Sequence, residues 1–244
     1  MADLGTRPPR STRILIVNPD RSREPLVLSF SGGKDSVCAL AALRMQQNLK
    51  VTRLLTTLTR EYQRIAMHGV RETLLDRQAE ALGLPLDKIY LSAASSHAEY
   101  EDRMLEQLTR YRAQGIERVA FGDLFLEDIR AYREQQLERV GMHGVFPLWG
   151  QDTRSLAAQF IDQGFRAVIV CVDIEQLAPE FSGREFDHDL LSALPAHVDP
   201  AGERGEFHTF VYAGPLFQEP IPFVRGERVR RLGRFEYTDL NPLP

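Results

Sequence analysis

The sequence has little cysteine, little lysine and no long apolar run, and each scarcity closes off a class of function. Two cysteines in 244 residues, Cys38 and Cys171, stand in no Cys-x-x-Cys pair and near no histidine at ligand spacing, which argues against zinc, iron–sulfur and persulfide chemistry. Both sit among apolar neighbours and read as small buried thiols. No segment approaches the roughly 18 apolar residues needed to cross a bilayer. Residues 1–24 are rich in Arg and Pro and lack the apolar core of a secretion signal, so they are expected to form a flexible leader with a short strand at 14–17, and the expected compartment is the cytoplasm. A net charge of -4 gives no global reason to expect nucleic acid. What remains is an ordinary globular composition, 43% hydrophobic and 26% charged, on a chain long enough to bury a core without metal or disulfide staples.

The lysine scarcity carries information of its own. Only Lys34, Lys50 and Lys88 occur among the 30 basic residues, yet one of them stands between Gly33 and Asp35. A compact, flexible ammonium suits phosphate oxygens beside a tight turn better than a broad guanidinium does.

From residue 26 onward, short apolar runs alternate with amphipathic segments of helix length. Runs at 26–30, 51–58, 89–91, 118–121 and 167–172 read as buried parallel strands. Segments at 36–46, 70–82, 98–114, 127–140 and 153–163 read as helices, several closed by a glycine: Gly83, Gly115, Gly141 and Gly164. This pattern predicts an α/β fold with a doubly wound, mainly parallel five-stranded sheet, in which ligands bind beyond the carboxyl ends of the strands. From about residue 179 prolines crowd in and the alternation fails. The expected organisation is a leader at 1–24, a nucleotide-binding domain at 25–141 and a smaller α+β substrate domain at 142–244, with 142–150 open to either half. The tetrapeptide Met-His-Gly-Val occurs at 67–70 and again at 142–145, but its flanks do not match and no repeat is inferred.

The first strand runs into Ser31-Gly32-Gly33-Lys34-Asp35-Ser36, followed at once by a helix. Two glycines let the backbone bend tightly, and the open N–H groups and dipole of a helix start favour an anion there. The spacing matches neither a Walker A loop nor a dinucleotide fingerprint. This six-residue stretch resembles the phosphate loop of the PP-loop ATP pyrophosphatases, which implies that Ser31, Gly32, Gly33, Lys34, Asp35 and Ser36 hold the pyrophosphate end of ATP.

Four further stretches, Met67-His68-Gly69-Val70-Arg71, Gly122-Asp123, Pro147-Leu148-Trp149 and Gly202-Glu203-Arg204-Gly205-Glu206-Phe207-His208-Thr209, resemble the branch named for diphthine-ammonia ligase, over about residues 25–223. The resemblance implies ATP and Mg²⁺ as cofactors, with a carboxylate-bearing acid and ammonium as partners. A homodimer is allowed, and neither nucleic acid nor membrane is expected.

Gly122 and Asp123, at a strand's carboxyl end, are candidates for the ribose or Mg²⁺, against a plain turn. Glu203 and Glu206 are candidates for holding ammonium or orienting the acid, against a solvated hairpin tip. His208 is a candidate base toward ammonium because an ordinary imidazole titrates near neutrality. Lys34 and Asp35 complete the catalytic candidates. His68, Arg71, Arg133, Glu134, Trp149 and Thr209 are candidates for substrate contact. Exposed ion pairs would explain Arg133 and Glu134 as well, and a core position would explain Trp149. Arginines 225, 228, 230, 231 and 234 read as a solvated face rather than an RNA site.

The expected reaction is attack of a carboxylate on the α-phosphate of ATP, followed by displacement of AMP by ammonia. In the diphthine branch the acid is a modified histidine of translation elongation factor 2. His208 stands where Glu is expected in many members, which leaves a small-molecule acid, including one of cobalamin metabolism, as an alternative. A tRNA-modifying enzyme and a non-catalytic nucleotide sensor are the rivals from other classes.

Overall fold

A computed structural model describes residues 23–243. Most of the expected leader, with the strand expected at 14–17, lies outside them. β1 (Glu24–Ser29) leads through a glycine bend into α1 (Lys34–Met45), and β2 (Leu49–Thr59) returns beside it. A short antiparallel β3 (Arg64–Ile65) precedes α2 (Glu72–Leu82), β4 (Leu86–Leu91), α3 (His97–Ala113), β5 (Arg118–Ala120), α4 (Glu127–Glu138) and β6 (His143–Val145).

Five of these strands run parallel in the order β4-β2-β1-β5-β6, with β3 folded back on the end of β2. The chain leaves β1 in one direction to β2 and later comes to its other side as β5. The carboxyl ends of β1 and β5 therefore form the switch point where an open α/β sheet presents its crevice. β1 is buried on both faces: Leu26 and Leu28 pack into the larger core, Val27 into a second core with Leu55, Tyr111 and Val119. Such two-sided burial makes a strand read as a continuous apolar run.

The five helices expected from periodicity are all present within a few residues of their expected ends, and Gly83, Gly115, Gly141 and Gly164 all take positive φ just beyond them. The run at 167–172 is a different case. It forms β7 (Arg166–Asp173), after α5 (Thr153–Asp162), and it belongs to a second, antiparallel sheet of order β8-β7-β10-β9, not to the parallel one. Its neighbours are β8 (Phe207–Ala213) and β10 (Phe235–Pro242), with β9 (Phe223–Arg231) at the edge. α6 (His188–Ala193) lies between β7 and β8 in sequence. The parallel sheet reaches five strands through β6, so 143–145 lie with the first sheet. The two Met-His-Gly-Val stretches differ in conformation: 143–145 are strand, whereas Met67 sits in a bend at φ 64°. No described helix is long and apolar enough to cross a membrane.

The two sheets share the larger core, which runs from Leu26 to Leu240. β8 is the element that joins them at the crevice, because the Val211 N–H donates to the Gly32 carbonyl at 3.0 Å. The second sheet thus buttresses the bend after β1 directly.

Candidate active site

The bend and α1 are held from three directions. Gly32 takes φ 74°, and its carbonyl accepts from Val211 N–H and from the Gln78 side-chain amide at 2.9 Å. A methyl group at Gly32 would lie 2.5 Å from Gln78 Oε1, and one at Gly33 would lie 3.0 Å from His68 Cε1 and 3.1 Å from the Thr209 carbonyl. The two glycines thus let β8, α2 and His68 close on the bend from behind. Thr209 Oγ1 accepts from the Lys34 N–H at 3.0 Å, and Ser36 Oγ donates to the Gly33 carbonyl at 2.8 Å. Among the described residues the N–H groups of Asp35 and Ser36 meet no acceptor, as expected for the first turn of a helix.

In front of the bend lies a cleft of about 420 Å³. Ser31, Lys34, Asp35 and Ser36 line it from the bend, Gly122, Asp123 and Arg133 from the β5 side, and Glu203, His208 and Thr209 from the second sheet. Gly122 is fixed by close approach: a Cβ there would lie 2.9 Å from the backbone carbonyl of Asp35. A plain turn would not need that glycine. It lets the end of β5 touch the start of α1 and brings Asp123 beside the bend.

Lys34 does not reach out over the N–H groups of its own bend. Its buried ammonium donates to both carboxylate oxygens of Asp35, at 2.8 and 2.9 Å, and to the Ala201 carbonyl, with the rings of Phe186 and Phe207 within 6 Å. The charge therefore ties the phosphate bend to the loop at 199–206.

That loop separates its two glutamates. Glu206 is buried, and its oxygens accept from the Asp199 and Arg204 N–H groups at 2.9 Å each, so it braces the loop from within and does not face the cleft. Glu203 does face the cleft, with Oε1 accepting from Leu124 N–H at 2.8 Å. Burial, reinforced by the charges of Asp35 and Asp123, pushes its carboxyl up to about 7.

His68 and His208 stack with ring centroids 4.4 Å apart. Burial, followed by the Lys34 charge, pulls His208 down to about 4, and burial together with His208 holds His68 well below the usual imidazole range. Both rings are neutral near pH 7. The expectation that His208 titrates near neutrality fails because its ring is shielded and lies close to a lysine.

The remaining candidates divide. Arg133 lines the cleft and pairs with Asp123, through an Nη2–Oδ1 hydrogen bond of 3.1 Å and an Nε–Oδ2 contact of 2.6 Å that lacks hydrogen-bond geometry, while its guanidinium lies over Phe121. Glu134 instead pairs on the surface with Arg130 at 2.9 Å, the exposed helix pair considered from sequence. Trp149 does not line the cleft; it packs edge-on to Phe146 with Arg130 over its ring. Arg71 also lies outside the cleft, where it pairs with Asp239 on β10 and fixes the start of α2 to the second sheet. Thr209 holds the bend in place. Arg225 and Arg230 pair at the surface with Glu185 and Glu236, whereas Arg234 reaches the buried Asp173.

For a magnesium ion, the donor set fits a site completed by phosphate oxygens. Asp123 Oδ2 is buried without a hydrogen bond, and Asp35 lies on the same wall. No group of three or more acidic, histidine or cysteine side chains converges among the described residues, and Mg²⁺ bound with nucleotide needs only one or two carboxylates. Both cysteines are buried, and burial raises each thiol to about 12, so neither offers a thiolate.

Gln78 was not singled out from the sequence. Fully buried in α2, its amide also donates to the Val211 carbonyl at 2.6 Å. The signal was present: Leu74, Leu75, Gln78, Ala79 and Leu82 follow helical spacing on one buried stripe, and an amide there needs a polar partner.

Comparison with known proteins adds the following. The diphthamide synthase N-terminal domain matches residues 25–144 and the diphthamide synthase C-terminal domain matches residues 152–237. A diphthine–ammonia ligase of Danio rerio is 27% identical over 222 residues, covering 79% of this chain and 83% of that protein. Among solved structures, the U34-tRNA thiolase NcsA of Methanococcus maripaludis, with its 4Fe-4S cluster, aligns with a TM-score of 0.36 and 16% identity over 59% of this chain and 58% of that one.

Proposed function

Because the chain belongs to the diphthamide synthase family, we propose that it is an ATP pyrophosphatase that joins ammonia to a carboxylic acid and releases AMP and pyrophosphate. The name of the Danio rerio relative is of this reaction class. The observation that carries the reading is the Ser31-to-Ser36 bend, clamped from behind by β8 and Gln78 and opening its helix start into a cleft that Asp123 and Glu203 share.

The acid's carboxylate oxygen bonds to the α-phosphorus as the bond from that phosphorus to the α,β-bridging oxygen breaks, and pyrophosphate leaves with the electron pair. The Asp35 and Ser36 N–H groups and the Ser31 hydroxyl are the donors for the departing phosphates. Lys34 lines the same cleft and ties the 199–206 loop to the bend through Asp35 and the Ala201 carbonyl. Asp123 or Asp35 would hold a Mg²⁺ ion, which would supply charge neutralisation for the phosphates.

Ammonium then gives a proton to Glu203, ammonia attacks the acyl carbon, the bond from that carbon to the AMP oxygen breaks as the amide forms, and the second proton lost from nitrogen passes to solvent. Glu203 is a better acceptor than His208 because a carboxyl near 7 is about half ionised and still basic at neutral pH, whereas an imidazole at about 4 is a weak base. The two neutral rings line the same cleft. The test is chromatography and phosphorus NMR of ATP incubated with the protein, ammonium and a mixture of carboxylates. AMP and pyrophosphate in equal amounts support the ligase; ATP left intact with every acid supports a sensor.

A further inference from the structure

A second cavity, of about 480 Å³, lies beside the first and shares with it the wall formed by Ile65, Ala66 and Met67. It is built at the joint of the two sheets. One side is the bend from Tyr62 to Gly69; the other is the face of the β9–β10 hairpin that carries Glu227, Val229 and Arg231 with Tyr237, Asp239 and Asn241. The joint is fixed rigidly: Arg64 pairs with Asp239 at 2.7 Å and also donates to the Gly69 carbonyl, and a methyl group at Gly69 would lie 2.6 Å from the Tyr237 ring. Met67 holds positive φ without being glycine, so the shared wall is kept in an unfavourable conformation by what surrounds it.

The charges here are unequally spent. Of the two arginines lining the cavity, Arg64 shares the Asp239 carboxylate with Arg71, whereas Arg231 has no carboxylate partner among the described residues. The Arg231 guanidinium lies 5.4 Å from the centre of the Tyr62 ring and 6.0 Å from that of Tyr237. Glu227, four residues along the same strand, is about 13 Å away at strand spacing and does not neutralise it. A guanidinium set against two phenol rings is a flat cationic platform, suited to a planar group bearing negative charge.

We propose that this cavity binds the acceptor, and that the acceptor is a carboxylic acid with a planar body and a second anionic group at its far end. The far anion sits on Arg231 between Tyr62 and Tyr237, while the reacting carboxylate passes the Ile65-to-Met67 wall toward the phosphate bend. The assignment rests on the ligase reading for its reacting end, but the cavity's own chemistry can be tested without turnover.

Terephthalate is a suitable probe, with benzamide as its neutral counterpart, and methionine methyl NMR is the readout. Met67 lines both cavities and Met104 lines the ATP cleft but not the second cavity. Terephthalate should shift the Met67 methyl and leave Met104 in place, benzamide should shift neither, and Arg231→Gln, at an exposed position, should weaken terephthalate at least tenfold. Terephthalate that moves Met104, that moves neither methyl, or that binds Arg231→Gln as tightly as wild type overturns the proposal. ATP should shift Met104 in both proteins. If it does not, the ligase reading fails, while the terephthalate arm still decides the cavity.

Discussion

The loops at 31–36 and 199–206 look alike in sequence, both polar and both turned by two glycines, and they use their polar groups in opposite ways. The first leaves two N–H groups and the Ser31 hydroxyl free at a cleft and spends its glycines on close packing behind. The second turns one carboxylate, Glu206, back on its own amides and leaves the other, Glu203, exposed to the cleft at a raised pKa. A polar residue beside a glycine contributes chemistry only when its hydrogen-bonding capacity is not already consumed by the backbone that presents it. Lys34 joins the two loops and belongs to both.

That contrast breaks most visibly at Lys34. Lys34→Ala should lower AMP formation by about 10²–10³, the scale of losing one well-placed electrostatic group, and thermal melting checks that the fold survives. The next effect is at Glu203, where Glu203→Gln should cost about 10²-fold in rate at neutral pH. In the wild type the rate should rise through pH 7 as Glu203 ionises, and this limb should be absent from the variant's pH profile. The sign for stability is the reverse: a carboxyl raised to about 7 when folded favours the native state below its unfolded value near 4.3 and loses that contribution as pH rises through 7.

Glu206→Gln sharpens the comparison from the other side. It should lower stability by about 1–3 kcal/mol in urea denaturation, since at least one loop amide loses its acceptor, and should leave the pH limb of the rate at the same position. The smallest effect is expected at Gly122→Ala, where a methyl 2.9 Å from the Asp35 backbone forces the two crevice walls apart. ATP affinity measured by calorimetry should fall by about tenfold, as overpacking by one methyl costs about 1–3 kcal/mol.

What was readable from the sequence follows the range of the interactions involved. The helices and their glycine ends are set by residues within a few positions, and their expected spans agree with the observed ones. The bend at 31–36 is equally local. β7 lies outside the parallel sheet that its apolar run predicts because a strand buried on both faces gives the same run in a parallel or an antiparallel sheet, and only pairing with β8 and β10, distant in sequence, distinguishes them. The orientation of Lys34 toward Ala201 depends on a partner 167 positions away. The division between Glu203 and Glu206, and the lowered basicity of His208, arise from burial that no spacing rule encodes.

The account turns on which bond of ATP is cut. Phosphorus NMR of ATP with wild-type protein, ammonium and an acid that turns over should show AMP and pyrophosphate rising together, and both rising at least a hundredfold more slowly with Lys34→Ala. ADP and inorganic phosphate in their place would mean that the bend holds the nucleotide for a different reaction and would contradict the assignment.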